Sequence, residues 1–241
     1  MDDNRAKNRT IRDHLPDIPR WVEARASLAT GACEVFGDLD TVRSRFVFQD
    51  HDAGYVFVIG EPNPAAVLAS VACQGRRLGL IAEQSRAPAI QKILTEWSGH
   101  RAIIGTLADE NCLTPPDQGQ IGWLDPADLV RIDMPSDLRE ELQDAARNGR
   151  IAASLDDGGA VSFCYAGSVT EIWWDVAIDT LPLYRRKGHA ARVASFMIRH
   201  MTGKQLKPVW GALEQNPASW QLARRLGFVA TDELAVFECR A

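Results

Sequence analysis

Asp179-Thr180-Leu181-Pro182-Leu183-Tyr184-Arg185-Arg186-Lys187-Gly188-His189-Ala190 is the stretch from which the rest of the chain can be ordered. An apolar run from Glu171 to Ile178 leads into it and reads as a strand. Behind it, Ala190, Val193, Ala194, Met197 and Met201 recur at helical spacing, and Gly203 ends the pattern. The order is therefore strand, basic glycine-containing turn, helix. A helix N-terminus exposes unpaired N–H groups and the positive end of the helix dipole. Gly188 lets backbone approach a ligand closely, and Ala190 keeps the next position small. Arg185, Arg186 and Lys187 add positive charge, so the turn suits a diphosphate.

Downstream, Lys207 to Leu213 reads as a strand. Next comes a helix with Asn216 suited to its cap, Pro217 to its first position and Gly227 to a left-handed stop. Upstream, the apolar stretches Arg150–Leu155, Ala160–Ala166 and Glu171–Ile178 form an antiparallel meander. Asp156-Asp157-Gly158-Gly159 makes its first turn. A helix is expected from Ser136 to Asn148 and a strand near Ile121–Leu124. Leu113-Thr114-Pro115-Pro116-Asp117-Gln118-Gly119 is the best linker, which divides the chain into residues 1–115 and 116–241. The first part reads as an α/β region. It has a helix from Asp17-Ile18-Pro19 to Gly31, then a hairpin of Arg45–Phe48 and Tyr55–Ile59. A helix at Pro64–Ala72, a strand at Leu78–Ile81, a helix at Ala87–Trp97 and a strand at Ala102–Gly105 follow. Residues 1–18 are polar, mixed in charge and read as loosely held. No internal repeat appears at the usual periods.

Composition narrows the function. The chain has 241 residues, 46% hydrophobic and 24% charged, with net charge −5. That balance supports a sizeable core and excludes disordered, collagenous and disulfide-miniprotein classes. An acidic net charge argues against a nucleic-acid partner, and no apolar run approaches the roughly 18 residues of a membrane span. Met1-Asp2-Asp3-Asn4-Arg5 lacks the apolar core of a signal peptide. Cys33, Cys73, Cys112, Cys164 and Cys239 are five in number, widely spaced and without a C-x-x-C pair. A reduced, cytoplasmic setting with no metal site is expected. Cys164, mid-strand, reads as a small buried apolar residue rather than a nucleophile. Of Trp173 and Trp174, adjacent in a strand, one should face the core and the other a cleft. Trp210 and Trp220 read as core.

Thr180 to Ala190, followed by Asn216-x-x-Ser219-x-x-Leu222-x-x-x-Leu226-Gly227-Phe228, resembles the GNAT superfamily of acyl-CoA-dependent N-acyltransferases. The resemblance covers about residues 120–241 and is nearest to a subgroup with an extra N-terminal α/β region. It implies a mixed, mostly antiparallel central sheet flanked by helices, within an α/β (α+β) chain. It implies acetyl-CoA as co-substrate, and no metal. Backbone of Ile178, Asp179 and Thr180 would pair with the pantetheine arm. Arg185 holds the motif's first position, and amides of Arg186, Lys187, Gly188, His189 and Ala190 would hold the pyrophosphate. Asn216 and Ser219 would lie by the pantetheine. Glu171 and Asp175, four apart and on one side of a regular strand, are the candidate bases for an incoming amine. The family's tyrosine acid position is Ala223 here, so that role is unassigned. The expected function is acetyl transfer to a small-molecule or peptidic amine, with neither nucleic acid nor membrane as partner and a homodimer allowed. A non-catalytic CoA sensor and a transferase of longer acyl groups are the alternatives.

Overall fold

The computed structural model describes residues 2–37, 45–61, 63–72, 78–115 and 120–239. Cys73 and residues 116–119 of the expected linker lie outside the described residues. The chain divides into two compact units: residues 1–104, 212–217 and 231–241 form the first, and 105–211 with 218–230 the second.

The first unit begins with α1 (Asp2–His14), a 3-10 turn at Pro19–Trp21 and α2 (Val22–Thr30), which ends at Gly31. The N-terminal stretch is thus not loose, as its polarity suggested. Ile11 and Leu15, one turn apart, are buried at 0% and 2% exposure, and α1 packs on α2. Asn8 is buried too. Its Nδ2 donates to Cys33 O at 2.8 Å and its Oδ1 accepts from Cys33 N at 3.1 Å. A short apolar stripe and one side chain bonding across 25 positions fix a helix that charge patterning hides.

β1 (Glu34–Phe36), β2 (Phe46–Asp50) and β3 (Tyr55–Ile59) follow, each antiparallel to the last. Asp50 Oδ1 accepts from the N–H groups of Asp52 and Ala53, which closes the hairpin turn. α3 (Pro64–Val71) carries the chain over to β4 (Gly79–Glu83), which lies parallel to β3. α4 (Ala87–Ile93) is shorter than the periodicity implied. Trp97 opens β5 (Trp97–Leu107) instead of closing the helix, because Leu94 already leaves helical backbone at φ −110°, ψ 70°. The core joins Val56, Val58, Val67, Leu80, Ile90 and Phe237. Burial of such side chains stabilises by about 1.5–3 kcal/mol each.

The second unit contains β6 (Ile121–Trp123), a 3-10 turn at Pro126–Val130 and α5 (Ser136–Asn148). Then come β7 (Ala152–Asp156), β8 (Gly159–Val169) and β9 (Trp173–Thr180), the expected meander. A 3-10 turn at Pro182–Tyr184 and α6 (His189–Thr202) lead to β10 (Lys207–Leu213), parallel to β9. α7 (Pro217–Arg225) and β11 (Phe228–Cys239) complete the chain. The strand pattern of β11 is absent from the sequence reading, since Thr231-Asp232-Glu233 breaks its apolar run. β11 pairs antiparallel with β4 through residues 234–238. Gly227, the expected left-handed stop, has φ +93°, and a Cβ there would lie 2.2 Å from Asp109 O.

Helices flank mixed, mostly antiparallel sheets in both units, as expected. α6 packs across β7, β8 and β9 with Val193, Ala194 and Met197 buried. Ala190 is only half-buried, and Ala191 takes its place on the inner stripe. α5 lies on β8, over a core of Leu129, Leu142, Phe163, Tyr165 and Leu181.

The pairing order repeats although the sequence does not. β1–β2 and β2–β3 are antiparallel and β3–β4 parallel through α3. β7–β8 and β8–β9 are antiparallel and β9–β10 parallel through α6.

Replacing Asn8 by Ala leaves the buried N–H of Cys33 without this partner, while its C=O keeps Asn4 Nδ2 at 2.9 Å. We expect a loss of about 2–3 kcal/mol of folding stability, read by urea denaturation; a loss under ~0.5 kcal/mol would contradict this role.

Candidate active site

Two features of β9 build the site. The first is its edge. On one side β9 is laddered to β8 from Ser162↔Thr180 to Val169↔Trp174. On the other, the parallel ladder with β10 runs only from Lys207↔Trp173 to Val209↔Asp175. The ladder stops at Asp175, so among the described residues no strand pairs with 176–180 on this side. Backbone N–H and C=O groups must be satisfied, and an extended ligand arm can take the missing strand's place. Ile178 and Thr180 turn their backbone groups to this edge, whereas the Asp179 carbonyl between them accepts from Ser162 Oγ of β8 at 3.0 Å.

The second is the turn. Arg186 has φ 65° and Gly188 φ 85°, so the chain enters the left-handed region twice within three residues before α6 begins. Gly188 is the N-cap of α6, and no side chain caps the helix. The first intrahelical bond runs from Arg192 N to Gly188 O at 3.2 Å, so the amides of His189, Ala190 and Ala191 face outward along the helix axis. Arg185, Arg186 and Lys187 are exposed around them. Arg185 also braces the turn, its Nε donating to Thr180 O at 3.1 Å.

The matching crossover of the first unit is built differently. Asn63 caps α3, its Oδ1 accepting from Ala65 N at 3.0 Å and Ala66 N at 3.3 Å. Pro64 has no N–H to offer, and Glu61 precedes. The repeated topology thus places a helix N-terminus at each crossover, one closed by its own side chain and one open and basic.

Behind the turn, His189 meets residues that the sequence does not single out. His189 is 5% exposed. Its Nδ1 lies 3.0 Å from Ser154 Oγ and 3.0 Å from Arg192 Nη2, and its Nε2 lies 3.8 Å from Asp156 Oδ2. Lys187 Nζ is also 3.8 Å from Asp156 Oδ2. Burial, then the Arg192 charge, hold the His189 pKa below its ordinary value, against the pull of Asp156. Only the fold brings Ser154 and Asp156, more than thirty positions upstream, under this turn.

Tyr165 links two carboxylates on the α5 face of the sheet. Its hydroxyl lies 2.6 Å from Glu141 Oε1, to which it donates, and 3.3 Å from Asp179 Oδ2. Burial raises the Asp179 pKa, and nearby Glu141 raises it further, while the Tyr165 hydroxyl and Arg185 oppose. The Tyr165 pKa is raised as well, chiefly by burial. Asp179 therefore faces a buried phenol through its side chain, while its carbonyl accepts from Ser162 Oγ of β8 at 3.0 Å.

The two candidate bases are placed unequally. Asp175 is on β9 above Gly167, where a Cβ would lie 3.0 Å from its Oδ2. Glu171 is exposed in the turn ahead of β9, closed by Thr170 N donating to Trp173 O at 2.8 Å and by Trp173 N donating to Thr170 Oγ1 at 3.0 Å. Strand alternation thus governs Asp175 but not Glu171, contrary to the regular strand expected. Ser219 Oγ accepts from the Trp210 indole N–H at 3.0 Å. Asn216 belongs to the first unit, its N–H donating to Leu213 O at 2.8 Å. Ala223, at the position where the resemblance expects a tyrosine, is fully buried.

Trp174 is fully buried, and Trp173 lines a cavity of about 540 Å3 together with Lys207 and Glu110. Trp210 is core and Trp220 half-buried. A larger cavity of about 950 Å3 is walled by Trp123, Met134, Leu155, Leu181 and Tyr184. Cys164 is buried, and burial pushes its thiol pKa up, which suits packing rather than nucleophilic attack. Among the described residues, no group of three or more His, Cys, Asp or Glu is placed to hold a metal. No helix among them is long and apolar enough to cross a membrane.

Residues 137–237 match the family model described as GNAT acetyltransferase. The fold is similar over its full length to a GCN5-related N-acetyltransferase-like protein from Streptococcus suis, at TM-score 0.68 and 18% identity, covering 100% of both chains. It is also similar to a GNAT-family acetyltransferase from Colwellia psychrerythraea, at TM-score 0.63 and 12% identity, covering 99% of this chain and 97% of that one. A GCN5-related N-acetyltransferase from Kribbella flavida matches at TM-score 0.58 and 13% identity, over 92% and 94% of the two chains. At these identities the likeness is one of fold. No curated protein matches the sequence.

A raised carboxyl pKa means that Asp179 ionises at the expense of the folded state, beginning near its unfolded value and complete above its folded one. Asp179→Asn removes that cost while keeping an acceptor for Tyr165. Its stability relative to the parent should improve between pH 4 and pH 7, measured by denaturant melts at both. A change in the opposite direction would contradict the burial effect.

Proposed function

We propose that this protein is an acyl-CoA-dependent N-acyltransferase that moves an acetyl group directly onto a primary amine. The observation that carries this is the pairing of an uncapped, basic α6 N-terminus with the unladdered edge of β9. The pyrophosphate of acetyl-CoA lies against the amides from Arg186 to Ala190, where dipole, amides and basic side chains act together. The pantetheine arm continues β9's lost ladder along Ile178 and Thr180. This sets the thioester carbonyl near a strand amide, which stabilises the oxyanion as it develops.

The amine nitrogen attacks the thioester carbon, forming the C–N bond, and the C–S bond then breaks. Asp175, or Glu171 through water, takes the proton lost by the amine. The sulfur leaves as thiolate. A thiol pKa near 8.5 makes that departure feasible without a protonating residue, which fits the buried Ala223 at the position where a tyrosine acid is usual. Acidic Glu171 and Asp175 also favour a cationic acceptor. The same Ala223 supports a second reading, a CoA-binding sensor without turnover.

Calorimetric titration with acetyl-CoA should give one site per chain, because the α3 N-terminus is closed. Gly188→Trp should abolish binding, since φ 85° strains any side chain there and an indole would cover the turn's amides and press on Arg192 Nη1, 3.1 Å from the new Cβ. Asp175→Asn and Glu171→Gln should retain acetyl-CoA affinity, and loss of the true base should lower turnover by about 10²–10⁴. Binding without turnover in the parent, across a panel of amines, would favour the sensor. No binding by the folded parent would defeat both readings.

A further inference from the structure

The resemblance places His189 among the phosphate-binding residues, but its side chain is engaged elsewhere. A guanidinium carries only donors and does not deprotonate in proteins. With Arg192 Nη2 3.0 Å from Nδ1, that nitrogen must offer its lone pair, and the single ring proton is on Nε2. Nε2 points toward Asp156 Oδ2, 3.8 Å away. Ser154 Oγ, from β7, shares the Nδ1 side at 3.0 Å. Both ring nitrogens are thus turned inward, and the ring is 5% exposed. Arg192 in turn reaches the turn itself, its Nη1 lying 3.4 Å from Lys187 O. His189, Arg192 and the Lys187 carbonyl form one chain of contacts beneath the diphosphate turn.

We infer that His189 is a positioning residue for acyl-CoA: as a neutral acceptor it seats Arg192 against the turn, and its protonation unseats the turn and weakens binding. This rests on the acyl-CoA reading for its ligand, although the tautomer does not. A proton added at Nδ1 sets N–H against the N–H of Arg192 and places two cations side by side. The groups facing the ring are Arg192 from α6, Asp156 and Ser154 from β7, Lys187 from the turn, and the Tyr184 ring edge-on at 6.4 Å. Of these, Asp156 favours the cation, and it is shared with Lys187. The depressed pKa agrees: the neutral form prevails above the ordinary histidine value and is lost as pH falls through the lower folded one.

The sign separates this role from its rival. A histidine donating to phosphate would bind more tightly when protonated, whereas a buttress binds more weakly. Dephospho-CoA is the suitable probe, because it lacks the 3′-phosphate monoester that would itself titrate. The parent's affinity for it should fall several-fold from pH 7.5 to pH 5.5, approaching a limit of about tenfold per pH unit below the His189 pKa. His189→Gln keeps an acceptor for Arg192. It should bind several-fold more weakly than the parent at pH 7.5 but with little pH dependence. Tighter binding of the parent at low pH, a flat parent profile, or an unaltered slope in His189→Gln each overturns the inference. Imidazole 15N shifts of the ligand-free protein at pH 7.5 give a readout independent of CoA. A proton on Nε2 is expected, and a proton on Nδ1 refutes the arrangement. A folded protein that binds no dephospho-CoA at any pH overturns the acyl-CoA reading and the ligand role of His189 together, whatever the tautomer.

Discussion

The site depends on a parallel ladder that stops early. Among the described residues β9 and β10 pair only from Trp173 to Asp175, while β9 stays laddered to β8 as far as Thr180. A strand held on one edge and open on the other is an incomplete sheet in the interior of a fold. Exposed strand edges are normally shortened, charged or covered. Here the open edge leads, through the 3-10 turn at Pro182–Tyr184, to the uncapped start of α6, so two sets of backbone groups lie close together in the chain. One set lies along an extended segment and the other at a helix tip. A ligand with an amide-bearing arm and a diphosphate at its end complements both.

Holding such an opening in shape needs rigid surroundings. α6 covers β7, β8 and β9 with a buried stripe, and α5 covers the other face through Leu142 and the aromatic residues beneath it. Polar groups then fix the turn: Arg185 on Thr180 O, Arg192 on Lys187 O, and His189 between Arg192 and Ser154. In each unit a helix crosses between parallel strands, but Asn63 satisfies the α3 amides that its counterpart leaves open. One topology therefore serves as scaffold in one unit and as binding site in the other. The difference resides in a few residues at a helix start.

Sequence reading was most successful where structure is punctuated locally. The hairpin at Asp156–Gly159, the turn through Gly188 and the stop at Gly227 are set by residues whose own backbone preferences suffice. It was weakest where distant groups complete one another. α1 gains its place from Asn4 and Asn8 bonding to Cys33, from Arg25 bonding to Arg12 O and from a short apolar stripe. Trp97 looked like the end of a helical stripe yet starts β5, because burial rewards either secondary structure equally. Alternation puts Glu171 on a strand, but the strand begins two residues later, after Thr170 closes a turn.

The sequence by itself determined that a strand, a basic glycine turn and a helix follow one another near residue 188, because helix starts and left-handed turns are encoded by neighbouring residues. Only the tertiary structure decided that the β9–β10 ladder stops at Asp175, that Tyr165 stands between Glu141 and Asp179, and that His189 faces inward to Arg192, Ser154 and Asp156. It alone showed that the pairing order occurs twice. Pairing and burial join groups far apart in the chain. Their energies depend on geometry that no local pattern of residue types records.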